Sequence, residues 1–325
     1  MKKKLLTLLP LLAVPMIALT GCDNRPQIGI LQPEEHGALD ASRKGFQQAI
    51  KDEGVTGYKF AYSNARGKSA NLNSLAKNLV DSSVLTLGIA TPAAVALKGA
   101  AENAGSTKPI LFTAVTDPVK AKLVASADNP SGYICGTTDA NPVEEQIALV
   151  KEFNPEASKV GIMYTQTEIN SKVQADQAKA AIEAAGMTAD IKTCTDTSNI
   201  KTTAEALVSD SCNAIYIPTD NNIAANMNAV KEAAASKGVL VICGEENMLS
   251  SGGHVTLSID YYNLGYSTGK MAAAILKGEK APTDFKVEPV PASNCSYAYS
   301  PTNLASANIT MPEAVKNAHN WKEVA

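Results

Sequence analysis

Three short stretches put a side-chain oxygen directly ahead of proline: Thr91-Pro92, Asp117-Pro118 and Asn141-Pro142. The first two follow the apolar runs 84–89 and 109–115. Such a pair starts a helix, because the side chain caps free N–H groups and proline enters the first turn without losing a hydrogen bond. Glu144, three residues after Asn141, completes a capping-box pattern. Free N–H groups and the positive end of a helix attract a small anion, a carboxylate above all. A fourth joint, "IPTDNNI" (217–223), carries the opposite charge, with Asp220 beside Asn221 and Asn222. A carboxylate there suits an ammonium group. The two kinds of joint together suit a zwitterion, its carboxylate at the first set and its amine at the second. Read as local structure alone, each joint is a helix cap, Asp220 included.

These joints meet only if the fold brings them to one edge. From Gln27 onward, short apolar runs alternate with amphipathic stretches. Runs at 28–31, 58–62, 84–89, 109–115 and 132–137 are separated by helical patterns at 39–53, 72–80, 93–103 and, briefly, 119–123. The cycle restarts with runs at 159–164, 189–194, 214–217, 239–243 and 254–259, and helical patterns at 171–185, 202–208 and 223–236. Runs this apolar predict parallel strands covered on both faces. Two successive sets predict an α/β protein of two Rossmann-like lobes with parallel sheets. Every strand then points its carboxyl end at one edge, where ligands of such sheets bind. A long helix is expected over 261–278, closed by Gly278, and shorter ones over 300–318.

Composition narrows the function. A net charge of −3 argues against sequence-independent nucleic-acid binding, which needs a basic face. Only His36, His254 and His319 are available as bases, and the chain has no nucleophile elbow, dinucleotide fingerprint or P-loop. An enzyme is therefore not expected, and no cofactor. Cys135, Cys194, Cys212, Cys243 and Cys295 show no metal-ligand spacing, so no metal site is expected either. A disulfide such as Cys194–Cys212 stays open outside the cell.

The first residues form a separate unit. Lys2, Lys3 and Lys4 precede an apolar stretch, 5–19, too short to span a bilayer at the ~20 residues required, and so read as a secretory signal. It ends in "LTGC" (19–22), which resembles the lipobox of bacterial lipoproteins. That resemblance implies cleavage before Cys22, lipidation of its sulfur and a membrane anchor, with residues 22–26 as a linker.

Further motifs occur in order: "GIATPAAVAL", "AVTDPVKAKLV", "NNIAANM" after "IPTD", "GEENMLSSGG", "SIDYYNLGYSTGKMAAAILKG" and "NLASANITMPEAV". They resemble the solute-binding lipoproteins of ABC importers in the tryptophan/tyrosine-type group, over nearly the whole mature chain. The resemblance implies a type I periplasmic-binding-protein fold with three hinge crossovers, near 137–140, 257–260 and 287–292. Lobe 1 would comprise 27–138 plus 259–288, and lobe 2 139–258 plus 289–325. The helix from Tyr261 would return to lobe 1, and "NLASANI" would pack on lobe 2.

For the site, the resemblance places Thr91 and Thr116 at the lobe 1 joints and Asp220 and Asn221 at the lobe 2 joint facing the amine. Gln32 and His36 lie in the first loop, which closes over the side-chain end of a ligand. Tyr164 is placed to stack on a flat side chain, and Glu245 follows another strand at the cleft. Asp139 and Asp260 fall at the crossovers as hinge or cleft residues. The implied ligand is an aromatic or other large amino acid, and the implied partner is the transmembrane part of an ABC permease. A monomer outside the cytoplasm is expected. The first loop, "QPEEHGAL" (32–39), is more acidic than a purely apolar side-chain pocket calls for, and Asn170, Asn221 and Asn222 leave a nucleoside, purine or sugar open on the same fold. A chemosensory binding protein would use the same chemistry.

Overall fold

The alternation of apolar runs resolves into two parallel sheets. The computed structural model describes residues 23–128, 130, 132–287, 290 and 292–324. The signal stretch and Cys22 lie outside them. The first sheet contains β1 (Gln27–Gln32), β2 (Lys59–Asn64), β3 (Ser83–Ile89), β4 (Ile110–Thr113) and β5 (Ile134–Gly136). Its order is β2-β1-β3-β4-β5, with every pairing parallel. Three crossovers run through α1 (Gly37–Asp52), α2 (Ser69–Ser82) and α3 (Thr91–Ala104). Side chains alternate across a strand. Ile28 and Ile30 of β1 accordingly enter one core, with Leu85, Leu87 and Ile89, while Leu31 enters the other.

The second half repeats the plan. It holds α4 (Val143–Phe153), β6 (Lys159–Thr165), α5 (Ile169–Ala184), β7 (Thr188–Cys194), α6 (Ile200–Ser209) and β8 (Ala214–Ile217). Next come α7 (Asn221–Ala224), α8 (Met227–Ala235), β9 (Leu240–Cys243), α9 (Asn247–Ser251) and β10 (Val255–Ser258). The order β7-β6-β8-β9-β10 mirrors the first sheet. Two strands that periodicity did not reveal extend it: β11 (Ser296–Tyr299), antiparallel to β10, and the two-residue β12 (Lys322–Glu323). Here too the faces alternate, Ala214 and Tyr216 on one side of β8 and Ile215 and Ile217 on the other.

The chain passes from the first sheet to the second between β5 and α4. It returns between β10 and α10 (Tyr261–Leu276). A third passage falls between Val287, which packs in the first lobe, and β11. Three positions of that segment, 288, 289 and 291, lie outside the described residues. α11 (Pro301–Ser306) and α12 (Glu313–Ala318) follow, and Leu304 of α11 packs in the second lobe.

Two expected helices differ. Residues 119–123 form turns, because Asp117 accepts from the Lys120 N–H (2.9 Å) and Lys122 takes a positive φ of 56° that ends any helical path. The pattern over 223–236 splits into α7 and α8. The Asn226 N–H bonds the Ile223 carbonyl in a tight three-residue turn, and its side chain takes the Asn222 carbonyl.

α10 packs on α1, which ties the third segment to the first lobe. The close approach needs glycine. A methyl on Gly265 would overlap the Ser42 carbonyl, and one on Gly45 would overlap the Tyr262 carbonyl. The Ser42 hydroxyl donates to the Tyr261 carbonyl across this contact (3.1 Å). Alanine favours a helix interior by ~1 kcal/mol over glycine, yet overpacking costs ~1–3 kcal/mol. The clash is with backbone, so it outweighs the propensity. Gly265→Ala is expected to lower the thermal midpoint by about 2–6 °C in calorimetry. A rise would contradict the packing argument.

Candidate functional site

The carboxyl ends of both sheets face one seam, where loops from the two lobes enclose two adjoining chambers. The first is lined by His36, Ala38, Leu39, Ala114, Thr116 and Asp139, and across the seam by Asn170, Thr219, Asp220, Asn221, Ala224 and Glu245, with Tyr261 from α10. The second is lined by the loops after β1 and β2, Pro92, and lobe 2's Thr167, Glu168, Asn221 and Asn222. The cavities measure about 10 Å³ and about 70 Å³, room for water rather than for an amino acid as the lobes stand.

Two polar contacts close the seam. His36 Nε2 lies 3.2 Å from Asn221 Oδ1. Gln174 Nε2 donates to Thr116 Oγ1 (3.2 Å) and to Thr219 Oγ1. On the hinge side, Asp139 accepts from Thr116 Oγ1 (3.1 Å) and from the Tyr261 hydroxyl (2.7 Å).

Asp220 is fully buried and heavily bonded. It caps α7 through the Ile223 N–H (3.0 Å) and accepts from the Thr165 N–H (2.6 Å) and hydroxyl (2.9 Å). Its wall of the chamber is anionic, but its oxygens are already occupied. Glu245 is different. One oxygen accepts from the Asn247 N–H (2.6 Å) and side-chain amide (3.1 Å), while Oε1 has no partner although the residue is 2% exposed. Burial pushes its carboxyl up to about 7. Burial also raises Asp139 and Asp220. His36 goes the other way, because burial disfavours the imidazolium.

The remaining expected residues divide. His36, Thr116, Asp139, Asp220, Asn221 and Glu245 come together in the first chamber. Gln32 is buried behind the loop, its amide donating to the Glu34 carbonyl (2.7 Å) and Asp40 (3.1 Å), and it lines neither chamber. Tyr164 points into the second lobe's core with Val143 and Ala175 rather than into the seam. Asp260 caps α10 from the surface through the Asn263 N–H (3.0 Å). Thr91 does not cap α3. It sits inside the first turn with its hydroxyl buried and unpartnered, and only Pro92 beside it reaches a chamber. Asn141 does not cap α4 or form a capping box with Glu144; its amide donates to the Asp139 carbonyl (3.0 Å) and the Tyr261 hydroxyl (3.4 Å).

Tyr261, Thr219, Gln174 and Glu168 were absent from the expected set, and Asn170 was expected only for a nucleoside, purine or sugar. Glu168 sits directly after β6, at a joint without proline, so no cap signal marked it. The signal available was its position alone, the second lobe's counterpart of the first loop. Ala90 and Ala114, at the ends of β3 and β4, have φ of 70° and 55°. Non-glycine residues there cost ~1–3 kcal/mol each, a strain that gathers at binding sites.

Cys135, Cys194, Cys212 and Cys243 are free thiols, so Cys194 and Cys212 are not joined. Among the described residues, no group of acidic, His or Cys side chains is arranged to hold a metal ion.

The Glu245 shift carries a pH dependence. A carboxyl held above its unfolded value near 4.5 contributes stability that is present below that value and lost as pH rises through about 7. His254, lowered by burial to about 4, adds stability as pH rises to 6.5 and no slope beyond. Glu168, pushed up to about 8 by burial and the neighbouring Asp220, adds to the same loss. The ligand-free thermal midpoint is therefore expected to fall from pH 6.5 to about 8, and Glu245→Gln to lessen the part of that fall that lies up to about pH 7. Equal slopes in both proteins would remove Glu245 as the cause.

The comparisons agree with this geometry. Residues 27–321 match the family model of ABC transporter substrate binding proteins. A protein described as "Tyrosine-binding protein" from Clostridioides difficile is 34% identical over 298 residues, covering 85% of each chain. A solved ABC domain from Streptococcus pneumonia in complex with L-Trp is 32% identical, with a TM-score of 0.83 over 91% of this chain and 100% of that one. The ligand-free, open structure of a Clostridium difficile substrate binding protein with adhesive properties has the same identity and a TM-score of 0.67, over 92% and 100%. At equal identity, the chain as a whole superposes more closely on the L-Trp complex than on the open protein. Two parallel lobes facing across a polar seam, with a family match over residues 27–321, place this protein in the ABC transporter substrate-binding family.

Proposed function

We propose that this chain is the lipid-anchored, extracytoplasmic receptor of an ABC importer. It captures an aromatic or other large amino acid in the seam and delivers it to the permease's transmembrane subunits. The observation that carries the reading is the charge of the first chamber: Asp139, Asp220 and Glu245 line it with no Lys or Arg, and Glu245 Oε1 is unpartnered. Such a wall suits an ammonium group. Opposite it, α1 begins without a side-chain cap, and its first turn reaches the chamber through Ala38 and Leu39. Uncapped N–H groups suit the carboxylate. The tyrosine and L-Trp named for the relatives support an aromatic side chain.

The mechanism is hinge closure. A ligand touching both walls stabilises the closed form by its differential affinity, and the closed form is what the permease reads. No catalysis is involved. The three passages between lobes provide the hinge. Lobe 1 comprises 27–138 plus 259–288 and lobe 2 the remainder from Asp139. Anchoring rests on the lipobox at Cys22, and no helix among the described residues is long and apolar enough to cross a membrane. The receptor acts as a monomer.

The test is a dye-based thermal-shift panel on residues 23–325 after unfolding and refolding, with amino acids, nucleosides, purines and sugars. At ~100 times its dissociation constant, a ligand adds ~2.7 kcal/mol, a shift of a few degrees. L-Tyr, L-Trp or L-Phe are expected to give the largest shifts. Shifts from nucleosides or sugars alone would discard the amino-acid reading. Glu245→Gln is expected to weaken binding by ~10–150-fold, from loss of a charge-assisted hydrogen bond of ~1.5–3 kcal/mol. Cys22→Ser is expected to move the protein from the membrane to the soluble fraction.

A further inference from the structure

The start of α7 brings three backbone N–H groups to the seam, and carboxylates occupy all three. Glu168 accepts from the Asn221 N–H (3.1 Å) and the Asn222 N–H (3.2 Å), and Asp220 from the Ile223 N–H (3.0 Å). Glu168 also accepts from the side-chain amides of Asn221 (2.7 Å), Asn222 (3.0 Å) and Asn170 (3.0 Å). It is 4% exposed and lines the second chamber, not the first.

This bonding dictates how Asn170 is turned. Its NH₂ group donates to Glu168 Oε2, to Ser171 Oγ (3.3 Å) and to the Thr219 carbonyl (2.8 Å). Turning the amide over would press its oxygen against a carboxylate and a carbonyl, so the orientation is fixed. Oδ1 is thereby left without a partner in a residue 5% exposed that lines the first chamber. Glu245 Oε1 is a second buried, unpartnered acceptor in the same lining. An orphaned buried acceptor is costly, which marks both as waiting for a donor.

We propose that Glu168 is a positioning residue that sets the polarity of the cleft: it occupies N–H groups at the start of α7 and turns Asn170 Oδ1 toward the ligand, so that this wall takes an ammonium and refuses a carboxylate. The proposal rests on the amino-acid reading above. Glu168 itself does not touch the ligand. In Glu168→Gln, the neutral isostere can offer an NH₂ where the carboxylate stood, leaving the Thr219 carbonyl and Ser171 alone to hold the Asn170 amide, so that Oδ1 is no longer fixed toward the chamber.

Calorimetric titration of refolded protein tests this with L-tyrosine and L-tryptophan against their desamino acids, 3-(4-hydroxyphenyl)propanoate and 3-(indol-3-yl)propanoate. The wild type is expected to prefer the amino acid by about 100-fold or more, and Glu168→Gln to cut that preference by about 10-fold. Asn170→Ala should cut it similarly with Glu168 intact. The double variant Glu168→Gln/Asn170→Asp should restore it, since an aspartate presents an oxygen in either orientation. A merely structural role would weaken both ligands equally, and an unchanged preference in Glu168→Gln or in Asn170→Ala overturns the proposal. If Glu168→Gln does not fold, Asn170→Ala alone decides. If the wild type binds neither amino acid, the amino-acid reading falls and the proposal with it; if it binds them and the preferences do not move, only the proposal falls.

Discussion

Four carboxylates, Asp139, Glu168, Asp220 and Glu245, are buried along one seam, and none of them pairs with a lysine or arginine among the described residues. Burying a charge without a counter-charge is among the most costly arrangements a fold can hold. The seam offsets that cost with N–H donors, and much of the local architecture follows from the need to supply them. Glu168 is met by two backbone N–H groups and three amides, which is why three asparagines gather around it. Asp220 is met by the end of β6 and the start of α7. Asp139 is met by a threonine and a tyrosine that also join the hinge to the first lobe. Glu245 is met on one oxygen only. The most complete network thus lies in the same lobe as the least complete one, and the chamber is left with an acidic, under-bonded face.

That arrangement depends on two sheets of equal plan placed carboxyl edge to carboxyl edge. The matching strand orders put the ends of β3 and β4 opposite the ends of β8 and β9. The positive φ of Ala90 and Ala114 bends the chain sharply at the first pair of ends. The glycine-mediated contact of α10 with α1 ties the hinge to the first lobe. Tyr261, at the start of α10, therefore lines the chamber while its helix belongs to the first lobe. Closure is recorded in polar contacts across the seam, His36 to Asn221 and Gln174 to Thr116. Such contacts are individually modest, at ~0.5–1.5 kcal/mol, which suits a joint that opens and closes.

What the sequence determined by itself is the sheet plan and the set of strand ends that meet. Continuous apolar runs and helical spacing are local properties, so ten of the strands, the two-lobe duplication and the helix from Tyr261 could be read directly. The one- and two-partner roles at the seam could not. Thr91-Pro92 and Asn141-Pro142 carry the cap pattern, yet Thr91 entered the helix and Asn141 turned to Asp139 and Tyr261, because tertiary neighbours offered more than the local N–H groups. Tyr164 alternates into a core that only the packing of α4 and α5 creates. β11 and β12 are short strands whose pairing partners lie far away in the chain, so they have no local signature. Asp220 and Glu245 look alike in sequence, each an acid after an apolar strand. Only the folded chain decides that Asp220 is saturated and Glu245 is not, because that depends on how many donors two separate loops can bring to one buried oxygen.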